Sequence, residues 1–277
     1  DWVFFTHRET TVLCLQADVA DRESLNSALR RIPDDWPPVR GIFHAAGVLA
    51  DGMLYEMSPE QFDRAMAPKV AGAWNLHQLS ADMPLDHFVM FSSVASVLGS
   101  PGQANYAAGN AFLDGLAALR RSRGLPACAI NWGPWADAGM ATRQHRERGL
   151  RERGMRMLDP EEGIRVMEQL LRESSRAQTT VMDVDWTALA GEFGGRRPPL
   201  LEDFADHFAA AERGQTSART DGAMLKKLQA CPPDQRRARL EEFMASEVGR
   251  IMGIEPEQLP LEQSLAAVGV DSLMAWN

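Results

Sequence analysis

Lys69, Ser93, Tyr106 and Asn110 are the side chains of this sequence whose types and order fit reduction of a carbonyl group. Hydride addition to a ketone needs a proton donor at the oxygen, and a phenol can serve. A free phenol has a pKa of about 10 and is a sluggish acid at neutral pH unless a nearby cation stabilises the phenolate. Tyr106 and Asn110 lie one helical turn apart and share a face. The sequence has two tyrosines, Tyr55 and Tyr106, and only the second stands beside Ser and Asn at the edge of an apolar run. Lys69, in an earlier helical stretch, is the candidate cation. Any one of these residues alone is ordinary; the set in this order points to hydride transfer.

Short apolar runs alternating with helical patterns would position these groups. The pattern predicts strands over Thr11–Gln16, Val39–Phe43, His87–Phe91, Ala127–Asn131 and Thr179–Val184. Helices are expected over Asp21–Arg31, Ser58–Leu79 and Asn105–Arg123, the second opened by the cap and first turn Ser58-Pro59-Glu60. Strands separated by helices of this length imply parallel pairing and right-handed crossovers. The expected fold class is α/β, a doubly wound parallel sheet. In such sheets ligands bind beyond the carboxyl ends of the strands. Asp18, His44 to Gly47, Ser92 with Ser93, and Asn131 to Pro134 all fall at such ends.

The balance of charge narrows the partners. A net charge of −9 and a pI near 5.2 argue against a nucleic-acid surface, which needs clustered Lys and Arg. The basic run Arg143–Arg156 reads as a solvated helix face. Cys14 and Cys128 sit in apolar runs and read as small buried hydrophobes, Cys231 stands apart, and no spacing suggests a disulfide framework or a metal site. A reducing cytoplasm fits. No apolar run approaches the roughly 20 residues needed to span a bilayer, and the first residues lack the pattern of a signal peptide. The chain opens without Met, so it is expected to be a piece of a longer protein.

From about Ala188 the alternation dissolves. Glycines and the pair Pro198-Pro199 precede a polar stretch to Gly222, with a helix expected over Leu201–Ala211. Helical patterning then returns, with Leu240, Phe243, Met244, Val248 and Ile251 on one face. A Pro-containing loop follows, and Asp271-Ser272 opens a last helix. Both are good helix-start residues, so capping alone would explain them.

The segments HAAGV, KVAGAWNLH, FSSVAS, GQANYAAGNAFLD and INWGPW together resemble the ketoreductase domain of type I polyketide synthases, a branch of the short-chain dehydrogenase/reductase family. The resemblance covers residues 11–186 or so. Most of the wider family carries a Lys one turn after the Tyr. In this branch the Lys lies upstream and Asn takes that place, as Lys69 and Asn110 do. The resemblance implies a Rossmann-like fold and NADPH as hydride donor. It makes Tyr106 the general acid, has Ser93 bond the substrate carbonyl, has Lys69 lower the Tyr pKa and hold the ribose, and gives Asn110 the proton relay. Asp18, Val19, Ala45, Ala46, Gly47, Lys69, Tyr106, Gly133 and Pro134 are then the cofactor contacts. Leu49-Ala50-Asp51, Leu98 and Pro101 resemble the class that yields a D-configured 3-hydroxyl, with Asp51 and Pro101 as its marks; Ala50 departs from the usual Leu-Asp-Asp. Asp51 equally suits a helix cap. The family's glycine-rich turn, whose N–H groups meet the pyrophosphate, has no counterpart here. The N-terminal βαβ unit is therefore expected upstream, and the chain by itself is expected to bind NADPH poorly and to be inactive. Residues 134–150 take the place of the family's mobile lid, where Trp135 and Met140 either pack on substrate or fill the core.

Gly269-Val270-Asp271-Ser272-Leu273, following the linker, resembles the acyl carrier protein motif, in which the Ser takes phosphopantetheine. The domains expected are a ketoreductase at 1–187, a linker at 188–222 and the first part of a carrier domain, a partial small helical bundle, at 223–277. The partners implied are an acyl thioester on the carrier domain, other synthase domains and a phosphopantetheinyl transferase, with no nucleic acid and no membrane. A fatty-acid synthase ketoreductase, or a catalytically silent scaffold for the carrier domain, are the other readings.

Overall fold

The computed structural model describes residues 11–136, 150, 154–173, 176–192, 198–204, 206 and 228–252. In chain order the elements are α1 (Arg22–Leu29), β1 (Gly41–His44), α2 (Pro59–Ala67), a π turn (Pro68–Gly72), α3 (Ala73–Leu79), β2 (His87–Ser93), α4 (Ala95–Leu98), α5 (Ala104–Ser122) and β3 (Cys128–Trp132). They continue as β4 (Met155–Arg156), α6 (Pro160–Glu173), β5 (Gln178–Val181), β6 (Asp183–Val184), α7 (Trp186–Glu192), a 3-10 turn (Pro199–Phe204) and α8 (Arg236–Met252). Contacts divide the chain into two compact units, Asp1–Gly133 with Asp159–Val181, and Pro134–Leu158 with Met182–Asn277.

The first unit is built on a parallel sheet in the order β1-β2-β3-β5. Each new strand is added on the same side, so among the described residues the order never reverses. The parallel α/β class is as expected, while the reversal that defines a doubly wound sheet is not seen there. The central strands β2 and β3 are apolar, as buried parallel strands are. Phe88, Met90 and Ala129 pack with Leu113, Leu116 and Ala117 of α5 and Ala73 of α3 into the core. Small Ala residues at the facing positions let α5 approach the sheet closely. An exposed bidentate pair, Arg40 to Asp86 at 2.8 and 2.6 Å, ties the entries of β1 and β2.

Two helices start as their capping residues require. The Asp21 carboxylate accepts from the amides of Glu23 and Ser24 at the head of α1, and Ser58 Oγ from Gln61 N at the head of α2, with Pro59 in the first turn. The single helix expected over Ser58–Leu79 is interrupted. Pro68 has no N–H to give the ladder, and the chain widens into a π turn over Pro68–Gly72 before α3 resumes.

Other expectations are corrected. Residues 11–16 form no strand: they have no ladder partner, and Val12 and Leu13 are exposed. Cys14, in that segment, is exposed rather than buried, whereas Cys128 is buried in β3. The strand expected over Thr179–Val184 breaks at Met182 into β5, in the parallel sheet, and β6, which belongs to the other unit. The helix α6 was not anticipated, though Asp159 caps it through Glu162 N at 3.0 Å.

In the second unit β4 and β6 pair antiparallel. Gly154 has φ of +76°, and a Cβ there would lie 2.6 Å from the Asp185 carbonyl. Only glycine fits such a position. Trp186 stacks on Phe204, the last residue of the 3-10 turn, with ring centroids 3.9 Å apart; of the helix expected at Leu201–Ala211, residues 205 and 207–211 lie outside the described residues. A backbone bridge joins Trp135 to Leu158. On α8, Leu240 and Met244 are exposed; the side chains of Val248 and Ile251 lie outside the described residues. No further helix of a bundle is described beyond α8, and Ser272, Met140 and most of the basic run at 143–156 also lie outside.

Candidate active site

Three elements converge on the expected residues. Ser93 is the last residue of β2, Tyr106 and Asn110 lie on the first turns of α5, and Lys69 sits in the π turn. The Tyr106 phenol is met by the side chains of Ser93 and Asn110. Ser93 Oγ also accepts from Ala95 N at 3.2 Å, which fixes it over the start of α4. Asn110 is fully buried, and its Nδ2 donates to the Tyr106 carbonyl at 2.8 Å. Its Oδ1 has no protein partner.

Lys69 is 2% exposed and donates to the Phe91 carbonyl at 2.7 Å, its Nζ 5.8 Å from the centre of the Tyr106 ring. Burial pulls its pKa down to about 8, against the opposing pull of Asp114. The stem of Lys69 crosses α5 at Gly109, where a Cβ would lie 3.1 Å from Lys69 Cβ. His44, at the end of β1, is buried, and its Nε2 lies 3.0 Å from the Pro68 carbonyl, beside the π turn. Burial, and next the charge of Lys69, hold its pKa near 4, so at neutral pH the ring is uncharged and donates that bond.

Burial raises the Tyr106 pKa, the bonds from Ser93 and Asn110 oppose the rise, and Asp51 adds to it. A phenol is protonated at neutral pH, the form a proton donor needs, and the Lys69 ammonium gives a hydrogen bond to a carbonyl of β2.

The Leu49–Asp51 loop is seated against Tyr106 by amide side chains. Asn105, fully buried, donates to the Ala50 carbonyl at 2.8 Å and accepts from Tyr106 N at 2.8 Å. Gln61 reaches the Ala50 and Asp51 carbonyls at 3.2 and 2.7 Å. The Asp51 carboxylate accepts from Gln103 Nε2 at 3.1 and 3.2 Å instead of capping a helix. Beside it, Gly102 with φ of +70° turns the Pro101 loop so that its carbonyl meets Gly52 N at 2.8 Å.

The residues expected to hold a nucleotide lie at the same sheet edge. Asp18 is exposed and its carboxylate accepts from Ala20 N; with Gln16, Ala17, Ser24 and Arg31 it lines an open cavity of about 730 Å³. Asn75 Nδ2 holds the Val19 and Ala20 carbonyls at 3.0 Å each, and Val19 packs against Gly72 in the π turn, where any Cβ would collide with it. Ala45, Ala46 and Gly47 follow β1, and Gly133 N bonds Val181 O at 2.7 Å after β3. Pro134 belongs to the second unit, its carbonyl bonded by Leu158 N.

Sequence reasoning passed over Asn75, Asn105, Gly109 and Asp114, and placed Asn131 at a strand end without its partners. Asn105 and Asp114 stand in the same GQANYAAGNAFLD segment as Tyr106, and helical spacing puts Asp114 on the face of Tyr106 and Asn110.

Comparison with known proteins agrees with this geometry. Residues 5–137 match the family model of the KR domain. The chain is 37% identical over 272 residues to the spectinabilin polyketide synthase system protein NorB of Streptomyces orinoci, covering 96% of this chain and 12% of that protein. It is 34% identical over 276 residues to the mycoketide-CoA synthase of Mycobacterium tuberculosis, covering 95% of this chain and 6% of the synthase. It therefore spans only a small part of either relative. A solved structure of A-type ketoreductases from a modular polyketide synthase superposes with a TM-score of 0.66 at 38% identity, over 71% of this chain and 41% of that one. The first ketoreductase of the tylosin synthase superposes with a TM-score of 0.62 at 40% identity, over 70% of this chain and 42% of that one. On sequence, fold and the convergence at Tyr106 alike, residues 5–137 belong to the ketoreductase domains of type I modular polyketide synthases.

Proposed function

We propose that the chain carries the catalytic part of an NADPH-dependent reductase that converts a β-ketoacyl thioester into a 3-hydroxyacyl thioester during polyketide assembly. The observation that carries the reading is Tyr106, whose phenol is reached by both Ser93 and Asn110, with the Lys69 ammonium behind its ring. The substrate ketone takes Ser93 Oγ and the Tyr106 hydroxyl as donors, and Tyr106 delivers the proton. Asn110 Oδ1, buried and without a protein partner, is placed to accept from a water on the relay side. NADPH, when bound, supplies the hydride. Asp18 and Val19 would hold its adenine, Ala45 to Gly47 the adenosine side, Lys69 and Tyr106 the ribose, and Gly133 with Pro134 the far end.

The product we propose is D-configured. Asp51 and the Pro101 loop are locked together beside Tyr106 through Gln103, which favours one entry side for the thioester arm. The domain limits 1–187, 188–222 and 223–277, and phosphopantetheine on Ser272, belong to the same proposal, as do partner synthase domains and a phosphopantetheinyl transferase.

The glycine-rich turn that cradles a pyrophosphate is not among the residues of this sequence. The test therefore compares the chain itself with a chimaera that places the glycine-rich βαβ unit of a solved A-type ketoreductase ahead of residue 11. Mixed with NADPH and a β-ketoacyl thioester, the chain alone is expected to oxidise little cofactor, and the chimaera to oxidise it steadily. A well-folded chimaera without turnover would favour the silent-scaffold reading. Turnover confined to unbranched fatty-acyl substrates would favour a fatty-acid synthase.

A further inference from the structure

The α5 face that presents Tyr106 and Asn110 continues one turn on to Asp114, a residue with no part in the reaction described above. Its Oδ2 accepts from Ser96 Oγ at 2.7 Å, and both its oxygens from Asn131 Nδ2 at 3.0 Å. Asn131 is fully buried in β3 and also approaches Ser92 Oγ at 3.0 Å and Ser96 Oγ at 2.8 Å. Ser96 Oγ in turn lies 2.8 Å from the Ser93 carbonyl. The carboxylate is thus joined through two side chains to the strand end that carries Ser93. Ser92 closes the set by donating from Oγ to the Asn110 carbonyl at 3.2 Å.

Lys69 supplies the second half of the argument. An ammonium buried to 2% exposure with a neutral carbonyl as its hydrogen-bond partner is costly to keep charged unless a negative charge stands near. The titratable groups facing it are His44 from β1, which is uncharged, Tyr106 from α5, held as the phenol, and Asp114 from the same helix. Among the described residues only Asp114 favours the ammonium, and geometry places it close by: Asn131 Nδ2 joins its carboxylate to Ser92, the residue after the Phe91 carbonyl that Lys69 bonds.

We propose that Asp114 is a positioning residue of the site: it anchors the Ser93 strand end through Ser96 and Asn131, and its charge is the counterweight that keeps Lys69 a cation. The catalytic meaning of this pair rests on the reductase reading, while the pair itself can be measured without cofactor. Lys69, Lys226 and Lys227 are the lysines of the sequence, so NMR titration of ¹³Cε-lysine in the full chain isolates the buried one. Asp114→Asn keeps the size and one acceptor oxygen and removes the charge. It should bring the Lys69 midpoint about one pH unit lower. Ser96→Ala, which breaks the hydroxyl link but keeps the charge, should leave that midpoint in place. Should Asp114→Asn not fold, Asp114→Ser carries the same expectation. An unmoved midpoint in a folded charge-removing variant overturns the proposal, as does an equal shift in Ser96→Ala. NADPH oxidation by the chimaera separates the two ideas. A moved midpoint without turnover supports the charge pair and sinks the reductase reading; turnover with an unmoved midpoint sinks the pair alone.

Discussion

Tyr106 is the proposed proton donor, so its substitution has the sharpest expected consequence. Tyr106→Phe removes one oxygen and leaves the packing of the ring, so the fold should persist while NADPH oxidation by the chimaera drops by about 100-fold or more. Circular dichroism beside the rate assay checks both halves. Gly109 makes a steric prediction. A methyl there would press on the Lys69 stem at 3.1 and 3.3 Å, tighter than ordinary packing. Gly109→Ala should lower turnover by about tenfold, because a displacement of an ångström at a reacting group suffices for that. An unchanged rate would mean that the lysine stem yields freely.

At the scale of elements, the histidine that bonds β1 to the π turn makes the fold sensitive to acid, because a charged ring there would be buried beside the Lys69 ammonium. His44 is held near 4 against an ordinary 6.5. Between those values the unfolded chain binds a proton that the folded chain refuses, so stability is complete above pH 6.5 and is lost as the pH falls toward 4. The loss amounts to roughly 3 kcal/mol for this group. His77 acts in the same direction, since burial, then Arg120 and Arg123, lower its pKa. Its Nδ1 lies 2.9 Å from Arg120 Nη1, which it must accept from in neutral form. Melting temperature measured from pH 7 to 4 should fall steadily, and His44→Gln, whose amide can still donate to Pro68, should flatten the curve. These elements also mark what a sequence reveals. Helix starts at Asp21 and Ser58 were legible because capping is local. Asp159-Pro160-Glu161 gives the same signal ahead of α6 and was passed over. The interruption at Pro68 was legible only as a proline within a helical pattern. The strand expected at residues 11–16 did not form because an apolar run becomes a strand only with a ladder partner, and that depends on residues distant in the chain. The amides Asn75 and Asn105 were illegible for a related reason: each holds a carbonyl that lies 55 residues away.

For the whole molecule, Lys69, Ser93, Tyr106 and Asn110, the groups proposed to act in the reduction, all belong to the first unit and meet at the carboxyl end of β2, where parallel α/β sheets place their ligands. The polypeptide continues through α8 toward Ser272. If that serine carries the prosthetic arm, incubation with coenzyme A and a broad-specificity phosphopantetheinyl transferase should add the mass of one phosphopantetheine, and Ser272→Ala should add none. Tethering would then raise the local concentration of the acyl thioester at Tyr106. No mass change in the intact chain would remove the carrier assignment and leave the reductase untouched. The measurement that bears most directly on the central claim is stereochemical turnover: the chimaera, NADPH and a β-ketoacyl thioester, with the hydroxy product resolved by chiral chromatography. The account expects cofactor oxidation matched by a D-configured 3-hydroxyacyl thioester, both lost in Tyr106→Phe. Turnover that survives Tyr106→Phe would contradict it.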